Sequence, residues 1–520
     1  MGPKHLRGVL ALVVLVISTV PTPPAHAAGT VTVCDEANLR TALSGGGEVT
    51  FTCSGTIILA DRISITSDTT VDGSGQAVTI SGNNAVQVFY VETGVTFGLK
   101  GLTIANANAK DNTTAGGGAV ETWGGTIIID NSNFTNNTAW SGGAIFSESG
   151  TVSVARSTFS NNTAFEQSAY GGAIFTESGT LTVSDSTFSG NGALTGGAIY
   201  SSDYAGTGML TVSRSTFSNN TTSDWSGGAI VTSGAGDVSN STFYGNRAPN
   251  EYGGAIANRG TLTVTNSTFS NNAADYGGAI YNYCGSNACG TVLLKNSIIA
   301  SSTSGGNCRG TNITDGSGNL SYPDTSCPGI NQNPYLGLLQ DNGGPTWTMA
   351  PGSGSAAIDA GLDETCEAPP INNIDQRGVV RPQGEHCDIG AVEQNGVSLS
   401  RFWPIDIKLG SDRNPLNCRA ENAVITVAIL TSDTRDATTI DHTTVIFEGA
   451  TETHVHNKTG EPTRHVKDVD GDGDTDLVLH FRLGDTALIC DSTEAVLLGR
   501  TFEGVPIAGA DYVWMVPSRK

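Results

Sequence analysis

Five aspartates lie within nine residues near the end of the chain: Asp468, Asp470, Asp472, Asp474 and Asp476. Carboxylates at alternate positions, with a glycine after the third, let a loop wrap one hard cation, as in the first half of an EF-hand loop. Leu479 stands where an EF-hand would carry its bidentate glutamate. We expect a calcium site that lacks one protein ligand. The alternative is an acidic turn without an ion, in which five like charges repel one another.

Two glutamates, Glu148 and Glu177, each follow the first glycine of a Gly-Gly-Ala-Ile tetrapeptide by six residues. If the tetrapeptides stack at the spacing of β-strands, the carboxylates would lie about 5 Å apart. That separation suits a retaining glycosidase, so both are candidate catalytic residues. The alternative, which we favour, is a solvated acidic turn.

Aromatic residues also cluster beside these tetrapeptides. We take Trp123, Tyr200 and Tyr204 as candidate ligand-binding residues, because exposed aromatic faces stack on sugar rings. Others at similar places are Trp140, Tyr170, Trp225, Tyr252, Tyr276, Tyr281 and Tyr283. Histidines concentrate in the last hundred residues, but no cysteine or carboxylate has a defined zinc-ligand spacing with them.

The ten cysteines fall into sequential pairs: Cys34 with Cys53, Cys284 with Cys289, Cys308 with Cys327, Cys366 with Cys387, and Cys418 with Cys490. An even count in an exported chain indicates disulfides, although spacing alone leaves their connectivity open. Zinc is a weak alternative because no Cys-x-x-Cys spacing occurs.

The first residues indicate export. Lys4 and Arg7 precede an apolar run that ends in a small-x-small pattern at Ala25 to Ala27, which predicts a signal peptide over 1–27. No later stretch is apolar for long enough to be a transmembrane helix, so we expect a secreted protein without an integral membrane segment. The net charge of −23 argues against nucleic acid and anionic lipid as partners.

An internal repeat determines the predicted fold. The tetrapeptide recurs at Gly117, Gly142, Gly171, Gly196, Gly227, Gly253 and Gly277. Between the copies, an alternating stretch leads to a Phe-x-x-Asn motif, at Phe134, Phe159, Phe188, Phe217, Phe243 and Phe269. The period of two indicates strands, and so small a unit buries its apolar face only by stacking on its neighbours. We predict a Phe column, an Asn ladder and a parallel β-helix.

The residues three positions before each repeat Phe would form a column if the turns stack. This column contains Arg156, Asp185 and Arg214. Stacking would place Asp185 between the two arginines, and we expect it to pair with both. The alternative, an arginine poised to abstract a sugar proton, is the weaker interpretation.

The Gly-Gly-Ala-Ile and Phe-x-x-Asn pair resembles the repeats of polymorphic outer-membrane proteins and related proteins of the pectin-lyase-like superfamily. That resemblance implies a right-handed parallel β-helix. Residues 336–393, with Asp375-Gln-Arg-Gly and Asp388-Ile-Gly-Ala-Val-Glu, resemble the closing segment of choice-of-anchor proteins. The membrane barrel of the polymorphic proteins has no counterpart in this sequence, so an outer-membrane pore is not implied.

The predicted organisation is all-β, with a β-helix followed by a C-terminal β-sandwich. The divisions are 1–27 (signal peptide), 28–116 (first coils, with a short amphipathic helix predicted over 34–43 as the cap), 117–300 (repeats), 301–397 (disulfide-containing closing segment) and 398–520 (sandwich with the calcium loop).

We expect a secreted or cell-surface protein that acts as a non-catalytic binding or adhesion module for an extracellular polysaccharide or a component of a host or neighbouring cell surface. The alternative is a polysaccharide lyase or glycoside hydrolase on the β-helix flank, a hypothesis based on analogy of fold.

Overall fold

The computed structural model describes residues 29–109, 116–165, 169–203, 208–285, 289–394, 403–409, 414–432, 435–456, 462–490, 492, 494–502 and 506–516. The predicted signal peptide and Tyr204 lie outside these residues.

Four parallel sheets run side by side along a solenoid. Sheet A contains Gly29–Val31, Gly47–Phe51, Thr69–Asp72, Thr96–Lys100, Thr126–Asp130, Thr151–Ala155, Thr180–Ser184, Met209–Ser213, Ala235–Ser239, Thr261–Thr265, Thr291–Lys295 and Ile313–Asp315. Sheet B contains Gly55–Ile58, Val78–Ser81, Thr103–Ala105, Asn133–Thr135, Thr158–Ser160, Thr187–Ser189, Thr216–Ser218, Thr242–Tyr244, Thr268–Ser270, Ile298–Ala300 and Leu320–Tyr322.

Sheet C contains Ile63–Ile65, Phe89–Val91, Val120–Thr122, Ile145–Glu148, Ile174–Glu177, Ile199–Ser202, Ile230–Thr232, Ile256–Asn258, Ile280–Asn282 and Cys308–Gly310. Sheet D contains Thr138–Ala139, Thr163–Ala164, Gly192–Ala193, Thr221–Thr222, Arg247–Tyr252 and Ala273–Tyr276. The predicted parallel β-helix is confirmed, and its strands continue past residue 300, where the repeat motif fades, because backbone pairing does not require the motif.

The glycine pairs mark the corner that leads into sheet C. Gly171 has a φ of +62°, and a Cβ on Gly172 would lie 2.1 Å from the carbonyl oxygen of Gly197 one turn on. The first glycine supplies the left-handed turn, and the second lets successive backbones approach closely.

Two stacks fill the interior. The six phenylalanines of the repeat are fully buried, with neighbouring ring centroids 4.6–4.9 Å apart. The asparagines form a buried ladder in which each side-chain amide donates to the next Oδ1 at 2.9–3.0 Å. Both predicted columns are confirmed.

Serine forms a further ladder that sequence analysis did not predict. The serine two residues before each Phe accepts the backbone N–H of its counterpart on the preceding turn, as Ser186 Oγ does from Ser157 at 3.1 Å. Its hydroxyl also donates to the carbonyl two residues back, so the tight corner between sheets A and B keeps its polar groups satisfied.

The arginine column differs from the prediction at one position. Arg214 donates to both carboxylate oxygens of Asp185 at 2.7 Å, as expected. Arg156 pairs instead with Asp130 on the preceding turn. Because Arg214 engages both oxygens of Asp185, the expected pairing of Arg156 with Asp185 is wrong.

A helix, Glu36–Leu43, caps the first turn, as the sequence predicted. Asp35 accepts the backbone N–H of Asn38 at 2.8 Å, and Leu39 and Leu43 are buried against the first strands. A disulfide between Cys34 and Cys53 ties this cap to sheet A.

The part of the predicted closing segment that follows Tyr322, residues 323–394, lies along the outer face of sheet B as well as across the end of the solenoid. The name closing segment is used for these residues from here on. Gln376 Nε2 donates to Thr216 Oγ1 at 2.9 Å, and Thr242 Oγ1 donates to Gln376 Oε1 at 2.7 Å. The segment contains a short helix, Asp363–Glu367.

The predicted disulfide bonds are present. Besides Cys34–Cys53, the structure joins Cys284–Cys289, Cys308–Cys327, Cys366–Cys387 and Cys418–Cys490. The bonds Cys308–Cys327 and Cys366–Cys387 hold the closing segment, and Cys418–Cys490 lies in the C-terminal region.

The C-terminal region consists mainly of antiparallel strands, which is consistent with the predicted β-sandwich. Sheet E has the order Ile405–Ile407, Val424–Ile429, Asp476–Arg482, His465–Lys467, and sheet F has the order Ala450–Thr451, Ile440–Phe447, Glu494–Thr501, Pro506–Tyr512. Pro415–Asn417 pairs in parallel with Trp514–Val516, and Ala437–Thr439 and Leu483–Asp485 are 3₁₀ turns. A core that includes Val427, Phe447, Leu479 and Leu497 lies between the sheets.

Among the described residues, no helix is both long and apolar enough to cross a membrane.

Candidate functional sites

The aspartate loop brings three of its five predicted ligands together. Oxygens of Asp468, Asp470 and Asp476 lie within 4.8 Å of one another, a grouping that could hold a cation. Asp472 and Asp474 are exposed and fall outside this group. Leu479 is buried in the core, so the twelfth position supplies no ligand.

Backbone hydrogen bonds shape the loop. Asp468 accepts the N–H groups of Gly471 and Gly473, at 2.7 and 3.2 Å. Asp476 is fully buried and accepts the N–H groups of Thr431 and Val469, at 2.8 and 2.9 Å. The loop is therefore anchored at Asp476, where the strand Asp476–Arg482 of sheet E begins, and its other carboxylates face solvent.

Glu148 and Glu177 lie side by side on neighbouring strands of sheet C, in the register expected from the repeat. Both are half-buried. Burial and the nearby Glu148 carboxylate raise the pKa of Glu177. The next strand places Ser202 in this column, so the acidic pair is local.

The candidate aromatic residues differ in exposure. Trp123 is 42% exposed, and its indole N–H donates to Glu121 Oε1 at 2.9 Å. Tyr200 is only 5% exposed, because its ring packs against Tyr170 and Phe175. Little of its face is accessible to a ligand.

The last turns of the solenoid carry a patch of four tyrosines, which the sequence places beside the glycine pairs but did not single out as ligand-binding residues. Tyr252, Tyr276, Tyr281 and Tyr283 pack with ring centroids 4.4–5.5 Å apart. Arg259 lies over the Tyr283 ring, 4.9 Å from its centroid, and Arg309 lies 5.9 Å from that of Tyr276. We call these six residues the tyrosine patch. The signal available in the sequence was the density of tyrosine around the last glycine pairs.

A cleft of about 450 Å³ lies between sheet A and the closing segment. Its lining includes Asp237, Lys295, Glu364 and Pro369. Burial raises the pKa of Asp237, although Lys295 opposes the shift, and Asp237 Oδ1 has no hydrogen-bond partner among the described residues. Sequence analysis missed this residue.

A departure from the repeat could have identified it. Serine or threonine occupies the column of Asp237 on the three preceding turns, at Ser153, Thr182 and Thr211. An acid in such a column is a local break in the pattern, which is typical of functional positions.

The four parallel sheets, each with one strand from successive turns, define a repeat protein of the parallel β-solenoid class. Five segments match the Chlamydia polymorphic membrane protein repeat: residues 131–148, 156–177, 185–202, 214–233 and 266–283. The chain is thus a β-helix protein with repeats of this type, although the matched segments cover a minor part of its length. No curated protein matches the chain.

Proposed function

We propose that this chain is a non-catalytic binding or adhesion protein of the cell surface or extracellular space, and that its tyrosine patch contacts carbohydrate. The match to a membrane-protein repeat and the five disulfides support a location outside the cytoplasm. Export through a signal peptide over 1–27 is part of this proposal.

The observation that carries the proposal is the accessible cluster of tyrosine rings. Tyr276 is 47% exposed, and Tyr252, Tyr281 and Tyr283 are half-buried, so each ring is supported by protein while part of it faces solvent. Such rings offer flat surfaces to the C–H faces of a sugar at little entropic cost. No salt bridge is formed by Arg259 or Arg309 within the described ranges, which leaves both able to donate to hydroxyl or acidic groups of a glycan.

A glycan array on the purified full chain, followed by calorimetric titration of the best ligand, tests this function. Tyr276→Ala and Tyr283→Ala should each weaken binding by about tenfold, equivalent to the ~1.4 kcal/mol of a modest interface contact. Tyr335→Ala is the matched control, because Tyr335 is 57% exposed and lies in the closing segment, outside the patch. Binding that is unchanged in both tyrosine variants would contradict the proposal.

A glycoside hydrolase or polysaccharide lyase is the second candidate, because the Asp237 cleft contains an acid with a raised pKa beside a lysine. Glu148 and Glu177 are an alternative acidic pair on sheet C. Assays for reducing sugar and unsaturated uronate on array ligands separate the two functions. Turnover that is lost in Asp237→Asn or Glu177→Gln would establish an enzyme, whereas binding without turnover supports the adhesion function.

We also propose that the aspartate loop binds calcium through Asp468, Asp470 and Asp476, with solvent or Asp472 and Asp474 completing the shell. Oxygen ligands suit a hard cation, and a bound ion would offset the repulsion among the carboxylates.

Calorimetry of the full chain in calcium and in chelator tests this site. Calcium at a hundred times its dissociation constant should stabilise the C-terminal region by about 2.7 kcal/mol, and magnesium should substitute poorly. Asp470→Ala should abolish the response, whereas Asp485→Asn, an exposed acid outside the loop, should retain it. Identical melting of the parent in calcium and in chelator would refute the site.

A further inference from the structure

Three histidines converge on the outer face of sheet E. His480 lies on the strand Asp476–Arg482, His465 on the adjacent strand His465–Lys467, and His454 on the segment after Ala450–Thr451. A ring nitrogen of each lies within 4.8 Å of the others. We call these residues the histidine cluster. Their sequence separations gave no ligand motif, because strand pairing brings them together.

The side chains face away from the core for a simple reason of strand geometry. Leu477, Leu479 and Phe481 alternate into the interior, so His480 points to the opposite face. His465 is paired with Val478, which shares that face. Two neighbouring antiparallel strands therefore present imidazoles to the same surface.

The rings are already in contact. His454 Nδ1 and His465 Nε2 are 2.8 Å apart, and the two rings stack with centroids 4.6 Å apart. His480 meets both rings edge-on, at 5.6 and 5.5 Å. Imidazole ligands of a tetrahedral zinc ion, each 2.0–2.1 Å from the metal, are separated by about 3.4 Å. Small rotations would bring the nitrogens to this spacing, and His454 is exposed and able to make them.

Two features distinguish the cluster from a chance meeting of surface histidines. Within the described chain, His480 Nδ1 is buried without a hydrogen-bond partner. Glu452, 5% exposed, lies 3.8 Å from that atom and accepts the backbone N–H groups of both His454 and His480. One buried carboxylate thus fixes the backbone that carries two of the imidazoles. Metal-binding histidines are commonly oriented by such a carboxylate.

We infer that the histidine cluster binds one divalent transition-metal ion of the zinc class through His454, His465 and His480, with water in the fourth position. Imidazole nitrogens favour zinc, copper, nickel and cobalt, whereas calcium and magnesium favour oxygen. The ion would link three separate segments of the C-terminal region. Glu452 is a positioning residue in this arrangement.

The test uses the metal-stripped full chain with cobalt(II) as a spectroscopic probe, and elemental analysis after dialysis against zinc. We expect one equivalent of zinc and a visible cobalt spectrum of low-coordinate type. His454→Gln and His465→Gln should each weaken binding by more than about tenfold, and Glu452→Gln should weaken it about 10- to 100-fold. His456→Gln is the matched control, since His456 is exposed, two residues from His454 and outside the cluster.

Metal-free melting of each variant confirms its fold, and the exposed His454 gives the variant least expected to disturb it. Asp470→Ala should retain zinc, which separates this site from the aspartate loop. Failure of the parent to bind stoichiometric zinc, or equal zinc binding by the parent and His454→Gln, would overturn the inference.

Discussion

The solenoid interior and the closing segment bury their polar groups in different ways. In the solenoid, each asparagine of the ladder bonds to an identical residue one turn away, and the phenylalanines stack in the same manner. In the closing segment, Arg381 is fully buried and donates to Glu393 Oε2 and to the carbonyls of Asp388 and Gly390. Each contact there is between unlike groups.

Repetition makes the solenoid tolerant of single substitutions, because every internal turn packs between two equivalent neighbours. The closing segment has no such redundancy. Its network joins Arg381, Glu393 and Asp388, whose side chains are all fully buried, so that loss of Arg381 leaves two buried acids without their cation. A substitution in the solenoid core should therefore destabilise only the turns around it, whereas a substitution in the buried network should release the whole closing segment from sheet B.

The largest effect is expected from Arg381→Met, which removes the cation from the buried network. Breaking a buried ion pair costs about 3–5 kcal/mol, because Glu393 and Asp388 remain as uncompensated acids. Denaturant unfolding and proteolysis of the closing segment measure the change. Arg419→Met, at a residue outside this network, is the control. Unchanged protease resistance in Arg381→Met would contradict the proposed dependence on one residue.

Phe188→Ala should cost a comparable ~3–5 kcal/mol, through lost apolar burial and a cavity in the phenylalanine column. Ile128→Ala, at a residue 45% exposed on the solenoid surface, should change stability by less than about 0.5 kcal/mol. Denaturant unfolding monitored by circular dichroism provides both values. A cost below about 1 kcal/mol for Phe188→Ala would mean that neighbouring turns compensate fully.

Removal of the Cys366–Cys387 disulfide by a double serine substitution should destabilise the closing segment by about 3 kcal/mol, because the bridge closes a loop with a sequence separation of 21. Calorimetry and mass spectrometry of protease fragments check this value. The equivalent change at Cys34 and Cys53 should affect the N-terminal cap and leave the closing segment docked. Equal release of the closing segment in both variants would show that the Cys366–Cys387 bridge does not specifically hold this segment.

The smallest effect, counted per pH unit, is a pH dependence that originates at Asp388. Burial, together with the Glu393 carboxylate, raises the pKa of Asp388 to about 7. A raised pKa means that the folded state binds the proton of Asp388 more tightly than the unfolded state does. The contribution of Asp388 to the free energy of unfolding is therefore complete below about pH 4 and is lost as the pH rises to about 7. The slope should be on the order of 1 kcal/mol per pH unit between pH 5 and 7.

Asp388→Asn should flatten this slope in pH-dependent melting, because the amide does not titrate. An identical slope in the variant would assign the pH dependence to other groups, with Glu393 the first to examine, since burial also raises its pKa.

The sequence alone determined the parallel β-helix, the phenylalanine and asparagine columns, the N-terminal helix and the disulfide-bonded character of the chain. Each depends on local periodicity or on identical residues in register, and both are visible in one dimension. The acidic loop was also recognisable, because its carboxylates are adjacent in sequence; calcium binding there remains a prediction.

Only the tertiary structure decided which partner Arg156 takes, that Tyr200 is covered, and that the closing segment folds back along sheet B. It also brought together the Asp237 cleft, the tyrosine patch and the histidine cluster. These features join residues that are distant or irregularly spaced in sequence, such as Thr216 with Gln376 or His454 with His480. Their juxtaposition is set by the packing of unlike segments, for which the chain carries no repeating signal.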